Sequence, residues 1–431
     1  MKKVLVVGAG GREHALVRAL LRSPQSPQVI AAPGNAGIAR DKVTCVDVAA
    51  DDISGLVALA HEQSCDLVVV GPEAPLVKGL VDACFEAGIK AFGPSSAAAR
   101  IEGSKAFAKE VMEAAGVPTA SYVVLHDRKE ALDHLAGATY PLVLKADALA
   151  AGKGVVICST DAEAKAAVDE FFTQQRFGRT TVVAEEFLEG QELSLLALCD
   201  GTQAIPMAPA QDYKRIFDGD KGPNTGGMGS YSPVPGFDAA HAKALAATVH
   251  QPVVDELRAR GTPFHGVLYA GLMMTSGGPK VLEFNARFGD PETQAILPRM
   301  RSDLLDALER SVTPDGLDGF EFDWKKMWAV TVVLASRGYP DSSSKGDVIG
   351  GLRAIDSLET EVLHAGTALQ GDELVTAGGR VLNVTGLGET VSEARRRAYA
   401  AAEKVQFDGK QMRTDIALRA VEAEGENERA A

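Results

Sequence analysis

Four short apolar runs in the first hundred residues, each closed by glycine or proline, limit the possible folds of this chain more than any other feature. They are residues 4–7 into Gly8, 29–32 into Pro33-Gly34-Asn35, 67–70 into Gly71-Pro72, and 89–92 into Gly93-Pro94. Runs this short, rich in β-branched residues and separated by helical stretches, predict a parallel sheet with helices on its faces. Ligands of such sheets bind beyond the carboxyl ends of the strands. Those ends carry Gly10-Gly11-Arg12-Glu13-His14, Pro33-Gly34-Asn35 and Gly71-Pro72-Glu73.

The first of these turns, Gly8-Ala9-Gly10-Gly11-Arg12-Glu13, opens like a dinucleotide fingerprint but puts Glu13 where that fingerprint needs a small residue. The run 29–32 also lacks a terminal acid for an adenosine ribose, so a nicotinamide site is disfavoured. The helix N-terminus can still hold a single phosphate, or be a tight turn without a ligand.

The chain has 431 residues, enough for two to four domains. With 46% hydrophobic and 24% charged residues it reads as a soluble globular protein. A formal charge of −14 argues against a general grip on nucleic acid or an anionic membrane, so anionic substrates must meet local positive clusters. Cys45, Cys65, Cys84, Cys158 and Cys199 are odd in number and never spaced CxxC. That disfavours a disulfide framework and a zinc site, and a cytoplasmic location is expected. The apolar run after Lys2-Lys3 is too short for a signal peptide or a membrane span.

A second unit opens at Gly103-Ser104, where Ser104 is placed to cap a helix over 105–115 that Gly116 and Pro118 end. Segments 142–145, 155–158, 182–186 and 193–199 read as strands of a mixed α/β middle region. Beyond residue 328, segments 330–334, 361–364 and 380–385 read as strands and 391–405 as a helix capped by Thr390 or Ser392. Residues 422–431 are polar and expected to fray.

The densest chemistry lies in residues 281–292. Strand alternation puts Glu283, Asn285 and Arg287 on one face and leaves Leu282, Phe284 and Phe288 for the other. A carboxylate and an amide oxygen suit Mg²⁺, whose remaining ligands are water and nucleotide phosphates, and an adjacent guanidinium grips an anion. The set predicts an ATP-dependent reaction on an anion; the alternative is a half-exposed edge strand.

Residues 146–155 form a Gly/Ala-rich loop between two strands, with Lys145 and Lys153 at its shoulders. It is not a Walker loop, since Gly154 follows Lys153 and a strand comes next. It can cover nucleotide phosphates or be an ordinary hairpin. In residues 183–193, backbone groups near Glu185 and Leu188 can meet an adenine edge and Glu192 a ribose, or the segment is a solvated acidic turn. The glycines of 222–230, after the charged Gln211-Asp212-Tyr213-Lys214-Arg215, point to close backbone approach to a ligand, to a lid, or to a plain surface loop. The eight histidines show no H-x-x-H or triad-like spacing.

Taken in order, VLVVGAGGREHAL (4–16), APGNAG (32–37), VVGPEAPLVKGL (69–80), EGSKAF (102–107), LKADALAAGKGV (144–155), EEFLEGQELS (185–194), QDYKRIFDGDKGPNTGGMGSYSPVP (211–235), LEFNARFGDPETQ (282–294) and HAGT (364–367) resemble the ATP-grasp superfamily and, within it, the phosphoribosylamine-glycine ligase family. The resemblance covers nearly the whole chain. It implies an α/β architecture: an N-terminal doubly wound parallel-sheet domain (1–102), a two-lobed ATP-grasp α+β region (103–326) with a mobile lid over about 119–189, and a small C-terminal α/β domain (327–421) before the tail.

The reaction it implies joins glycine to 5-phosphoribosylamine through glycyl phosphate, with ATP and Mg²⁺ or Mn²⁺, as one ion or two, by a monomer or weak dimer. By match to the family's motifs, Glu283 and Asn285 would hold the metal, and Lys105 and Lys145 would contact the α- and β-phosphates. Ala151, Gly152, Lys153 and Gly154 would be the phosphate cover, while Glu185, Glu186, Leu188 and Glu192 would seat adenosine. Arg287 would orient the glycyl carboxylate or the transferring phosphoryl, and Asp212, with Lys214, would hold glycine. Gly10, Gly11, Glu13 and Glu73 would receive the phosphoribosylamine, with Asn224, Gly226 and Gly227 also on substrate.

Two positions depart from the family's pattern. Ala148 stands where glycine is usual, and if that backbone needs positive φ alanine costs about 1 kcal/mol. Tyr213 stands where histidine is frequent. Two competing readings stay open at this point: an ATP-grasp ligase with another amine acceptor, and a nucleotide-binding regulator without turnover.

Overall fold

The computed structural model describes residues 1–149, 154–355 and 359–430. Strands β1 (Lys3–Gly8), β2 (Gln28–Pro33), β3 (Thr44–Cys45), β4 (Leu67–Val70) and β5 (Ala91–Phe92) form one parallel sheet in the order β3-β2-β1-β4-β5. The order reverses between β1 and β4, the point at which such sheets open a crevice. The fourth apolar run pairs over two residues only, because Ile89 N–H closes the preceding helix on the Cys84 carbonyl.

Strands β6 (Tyr122–Leu125), β7 (Leu142–Ala146), β8 (Val155–Cys158) and β9 (Val182–Glu186) make an antiparallel sheet in the order β6-β9-β7-β8. With the helices Arg128–Leu135 and Asp161–Val168 it buries a core of its own around Leu135, Leu144, Val168 and Phe171. The chain enters this lobe at Thr119, which bridges to Val281, and leaves it through 187–190. With its own core, this body is a distinct lobe of the fold.

The floor opposite that lobe is the antiparallel sheet β11-β10-β16-β17, formed by β10 (Gln191–Asp200), β11 (Ala204–Pro206), β16 (His265–Thr275) and β17 (Gly278–Asn285). A third sheet, β12-β15-β18-β22-β19, joins β12 (Gln211–Asp212) and β15 (Gly229–Ser232) to β18 (Trp328–Ala335), β19 (Thr360–His364) and β22 (Arg380–Gly388), and a separate hairpin pairs β20 (Thr367–Gln370) with β21 (Glu373–Thr376). The C-terminal strands thus continue a sheet begun by the Gln211 segment. The glycine-dense 222–230 stretch, expected as a loop, lies largely in strands: β13 (Arg215–Phe217) pairs β14 (Lys221–Asn224), and β15 pairs β18. Pairing satisfies backbone groups that a free loop would leave to water.

Ser104 caps the helix Lys105–Ala114, accepting from Phe107 N–H, as expected. Of the two candidates for the helix Val391–Lys404, Thr390 is the cap, accepting from Glu393 N–H. The tail differs from expectation: residues 422–430 continue the helix Leu418–Ala430, and Ala431 lies outside the described residues. Buried Ala420 anchors it, and Glu424 accepts from the backbone of Val391 and Ser392. Among the described residues no helix is long and apolar enough to cross a membrane, and the five cysteines are free.

Candidate active site

All three regions wall one cleft of about 1430 Å³. From the first domain come Arg12 and Glu73, from the following helices Glu102, Lys105 and Lys109, and from the lid Lys145 and Glu185. Glu192, Asp212, Lys214, Glu283, Asn285 and Arg287 complete the floor, and Arg380 reaches in from β22.

The β17 strand places Glu283 and Asn285 on the cleft wall, and Arg287 follows just past its end. One detail departs from simple alternation. The register between β16 and β17 slips where Gly271 faces Glu283 and Leu272 faces Val281, so Leu282 is the extra residue of a β-bulge. Leu282, expected behind the sheet, therefore lines the cleft with its neighbour and packs with Ala120, Leu188 and Met273.

Charge defines the floor. Lys214 Nζ lies 3.3 Å from Glu192 Oε2 and 3.4 Å from Glu283 Oε1. The Lys214 ammonium, helped by Lys145, Lys105 and Arg287, pulls the Glu283 carboxyl down to about 2 against the effect of burial. Burial alone would lower Lys214, but Glu192, Glu283 and Asp212 outweigh it and its pKa is raised. Asp212 is pushed well up, by burial first and then by Glu292, Glu192 and Glu283, with Lys214 opposing.

Arg287 sits between acids from two other elements. Nη2 lies 3.1 Å from Glu102 Oε1 and Nε 3.4 Å from Glu73 Oε2. Nη2 also donates to Asn285 Oδ1 at 3.4 Å and Nη1 to the Phe288 carbonyl at 3.2 Å. Burial would lower the guanidinium, but Glu102 and Glu73 raise it. The Nε–H is buried and makes no hydrogen bond. Its anionic neighbour, Glu73 at 3.4 Å, makes an ion pair without an aligned hydrogen bond, which leaves this donor able to turn to an anionic group.

On the lid side, Glu185 gathers two lysines: Lys145 Nζ at 3.0 Å from Oε2 and Lys109 Nζ at 3.2 Å from Oε1. Lys145 also donates to the Leu282 carbonyl at 2.9 Å, tying lid to floor. Lys105 donates to the Ala148 carbonyl at 3.0 Å, and burial lowers its pKa. Burial likewise pulls Lys109 down to about 8. Ala148 is not among the described non-glycine residues with positive φ, so alanine there carries no left-handed strain.

Ala151, Gly152 and Lys153 lie outside the described residues; Gly154 lines the cleft and accepts from Ala146 N–H. Glu186 pairs with Lys280 at 2.7 Å beside Leu188, and Asn224 and Gly226 also face the cavity. Four other expected residues stand behind the wall. Glu13 is 2% exposed, with its carboxylate used up by Gly10 N–H and the Arg12 guanidinium, both at 2.6 Å. Gly11 lets the chain pass the Asn383 amide, which a Cβ would meet at 2.2 Å, and a Cβ on Gly227 would meet Pro291 at 2.4 Å. Gly11 makes room between the first and last domains and Gly227 between two segments of the middle one, and the residue of the first turn that reaches the cavity is Arg12.

Sequence reasoning passed over Arg12, Glu102, Lys109, Glu292 and Arg380 as site residues. Lys105 and Lys109 carried a usable signal, two lysines one helical turn apart on a face otherwise buried. Arg380 and Glu292 had none, since only the meeting of β22 with the segment after β17 brings them in. That meeting is held by Arg380 Nη2 on Asp290 Oδ2 at 2.9 Å.

Comparison with known proteins matches three successive family models to the chain. Residues 2–102 match the family model "Phosphoribosylglycinamide synthetase, N domain", 103–293 its "ATP-grasp (A) domain" and 329–419 its "C domain". The chain is 51% identical over 424 residues to the phosphoribosylamine–glycine ligase of Streptomyces coelicolor, covering 98% of this chain and 100% of that one. It is 49% identical over 427 residues to the ligase of that name from Allochromatium vinosum, covering 98% and 99%. Among solved structures, phosphoribosylamine–glycine ligase from Thermotoga maritima superposes with a TM-score of 0.82 at 36% identity, over 96% of this chain and 100% of that one. A biotin carboxylase domain from Hydrogenobacter thermophilus, solved with MgADP, shares the fold alone at 20% identity and a TM-score of 0.71, over 95% and 91%.

Proposed function

This chain belongs to the phosphoribosylglycinamide synthetase family, and on that premise we propose that it ligates glycine to 5-phospho-β-D-ribosylamine, converting ATP to ADP and phosphate and yielding glycinamide ribonucleotide for purine synthesis. The observation that carries the reading is the meeting, in one cleft, of Lys105 and Lys145, an ionised Glu283 beside Asn285, and a buried Arg287 whose Nε–H makes no aligned hydrogen bond, closed on one side by Arg12 and Glu73.

ATP lies between lid and floor in this reading. Leu188, Met273 and Leu282 offer an apolar slot for the base, and Glu185, with Glu186 next to it, ends the strand that borders it. Lys145 and Lys105 face the phosphates from two bodies, so closing the lid brings their charges together around the nucleotide. Glu185 holds Lys145 and Lys109 in place rather than meeting adenine with its side chain. The Glu283 carboxylate and the Asn285 amide oxygen fit a hard divalent cation. Mg²⁺ or Mn²⁺, one ion or two, would be held there and would neutralise the β- and γ-phosphates.

Glycine's carboxylate attacks the γ-phosphate, and Arg287, whose Nε–H makes no aligned hydrogen bond, orients it. Asp212 and Lys214 hold the glycine end of the floor. The sugar's amine then attacks the acyl phosphate from the side of Arg12 and Glu73, with Asn224 and Gly226 bordering that space. No covalent enzyme intermediate enters, and the protein contributes alignment and charge. Five unpaired cysteines support a reducing, cytoplasmic setting.

The test is ADP release with Mg²⁺ and glycine, with and without phosphoribosylamine formed in place from ribose 5-phosphate and ammonia. Release that requires both, matched by glycinamide ribonucleotide, is the expected result. Release without the sugar would assign another acceptor, and binding of ATP without release would assign a regulator.

A further inference from the structure

The segment carrying Asp212 and Lys214 is tied to the far end of the chain through the residue between them. Tyr213, 7% exposed, accepts at its hydroxyl from Ala417 N–H at 2.9 Å. The Arg413 guanidinium lies 4.8 Å from the centre of its ring. Arg413 is 1% exposed, donates to the Arg215 carbonyl at 3.1 Å and to Asp220 at 2.9 Å, and grips Asp415 at 2.7 and 2.6 Å. Thr414 N–H donates to Asp218 at 2.8 Å and Gly219 N–H to Asp415 at 2.9 Å. Residues 413–415 therefore hold strand β13 and the turn of the β13–β14 hairpin, while Ala417 holds Tyr213. Ala417 does so in a left-handed backbone, with φ of +61°, a conformation costly for alanine.

A fully buried arginine is kept only where its partners are arranged for it. These partners all lie around the one segment whose neighbouring side chains, Asp212 and Lys214, form the cleft floor. Tyr213 reaches toward the C-terminal segment while Lys214 reaches the other way, to Glu192 and Glu283. Whatever fixes the depth of Tyr213 fixes how far its neighbours project. We infer that residues 413–417 act as a strap that sets Asp212 and Lys214 at the depth glycine requires, which makes Tyr213 and Arg413 positioning residues for glycine. The inference rests on the assignment of Asp212 to glycine proposed above.

Two variants test it in the full-length enzyme. Tyr213→Phe keeps the ring and removes the oxygen that receives Ala417 N–H, and Arg413→Lys keeps the charge but cannot span Arg215, Asp220 and Asp415 together. Each is expected to raise the KM for glycine about tenfold while the KM for ATP moves less than about twofold, since small misplacement of a binding group acts on its own substrate. Because the strap acts through Asp212, adding Tyr213→Phe to Asp212→Asn is expected to change glycine KM little further, as coupled sites are non-additive. A glycine KM raised by Asp212→Asn but unmoved by both strap variants, or moved only in step with the KM for ATP, would overturn the strap. A glycine KM unmoved by Asp212→Asn would instead overturn the glycine assignment on which the strap depends. Tyr213→Phe, which deletes a single oxygen, keeps the test decisive if Arg413→Lys does not fold.

Discussion

Glu283 and Arg287 are adjacent in the reaction but differ in what their loss leaves behind. Removing Glu283 takes one acid from a group crowded around a single lysine, so Glu283→Ala is expected to fold normally and to cut kcat by about 10³-fold or more. Removing Arg287 strands Glu102, 7% exposed, whose carboxyl burial already pushes up, and leaves Glu73 without the charge that lowers it. Arg287→Ala should therefore lose about 3 kcal/mol of stability along with turnover. Arg287→Lys, which keeps a charge in that nest, should keep the melting temperature near normal while activity is still lost. Parallel melting curves and kcat values separate the two effects. Ala148 gives a contrasting prediction: with no left-handed backbone to relieve, Ala148→Gly is expected to leave the KM for ATP within about twofold. A tenfold fall in that KM would show that lid closure demands positive φ there. At this scale the identities in E-x-N-x-R were legible from one-dimensional alternation, but the partners of Arg287 were not, because Glu73 and Glu102 lie far away in sequence.

The element that couples lid to body is the start of the helix Lys105–Ala114. Ser104 caps it from within, and Asp147, just past β7, caps it from the lid, accepting from Lys105 N–H and Ala106 N–H while Thr181 donates to its other oxygen. Asp147 thus joins the helix that presents Lys105 to the strand that presents Lys145. Asp147→Ala should cost about 1–2 kcal/mol, as loss of a helix cap does, and should raise the KM for ATP more than that for glycine. Equal effects on both substrates would show that the cap serves folding only. The Ser104 cap could be read directly, since a cap acts over three residues. The β17 bulge could not, because the extra residue is defined only by the strand it faces; Leu282 therefore changed sides.

Across the whole molecule, the first and last domains meet at two buried histidines. His364 N–H donates to His14 Nδ1 at 2.8 Å, so the His14 proton sits on Nε2 and is given to Asp41 at 3.0 Å. Burial lowers His14, and burial with the neighbouring His14 and arginine charges lowers His364 to about 3. His250, buried on the Leu195 carbonyl, is lowered to about 4 and acts in the same direction. Each is neutral when folded and gains a proton on unfolding below its unfolded value of about 6.5. Stability should be fully present above about pH 6.5 and fall toward the folded-state values, by about 1.4 kcal/mol per pH unit for each histidine. Melting temperatures measured from pH 7.5 to 5 should show that fall, and His364→Gln should flatten it. Equal slopes in the two proteins would show that the junction does not titrate. Composition gave no hint of this junction, because no spacing rule links residue 14 to residue 364.

The amino-acid sequence by itself determined the parallel-sheet domain, the polar set on β17, the cap at Ser104 and, through ordered motifs, the family, since each depends on neighbours within a few residues or on local periodicity. The tertiary structure alone decided that Arg12 rather than Glu13 reaches the cleft, that Glu185 serves lysines, that residues 422–430 form a helix, and that the C-terminal strands extend the sheet begun by Asp212. Those outcomes rest on electrostatic and steric contacts between segments distant in the chain, which no local pattern encodes.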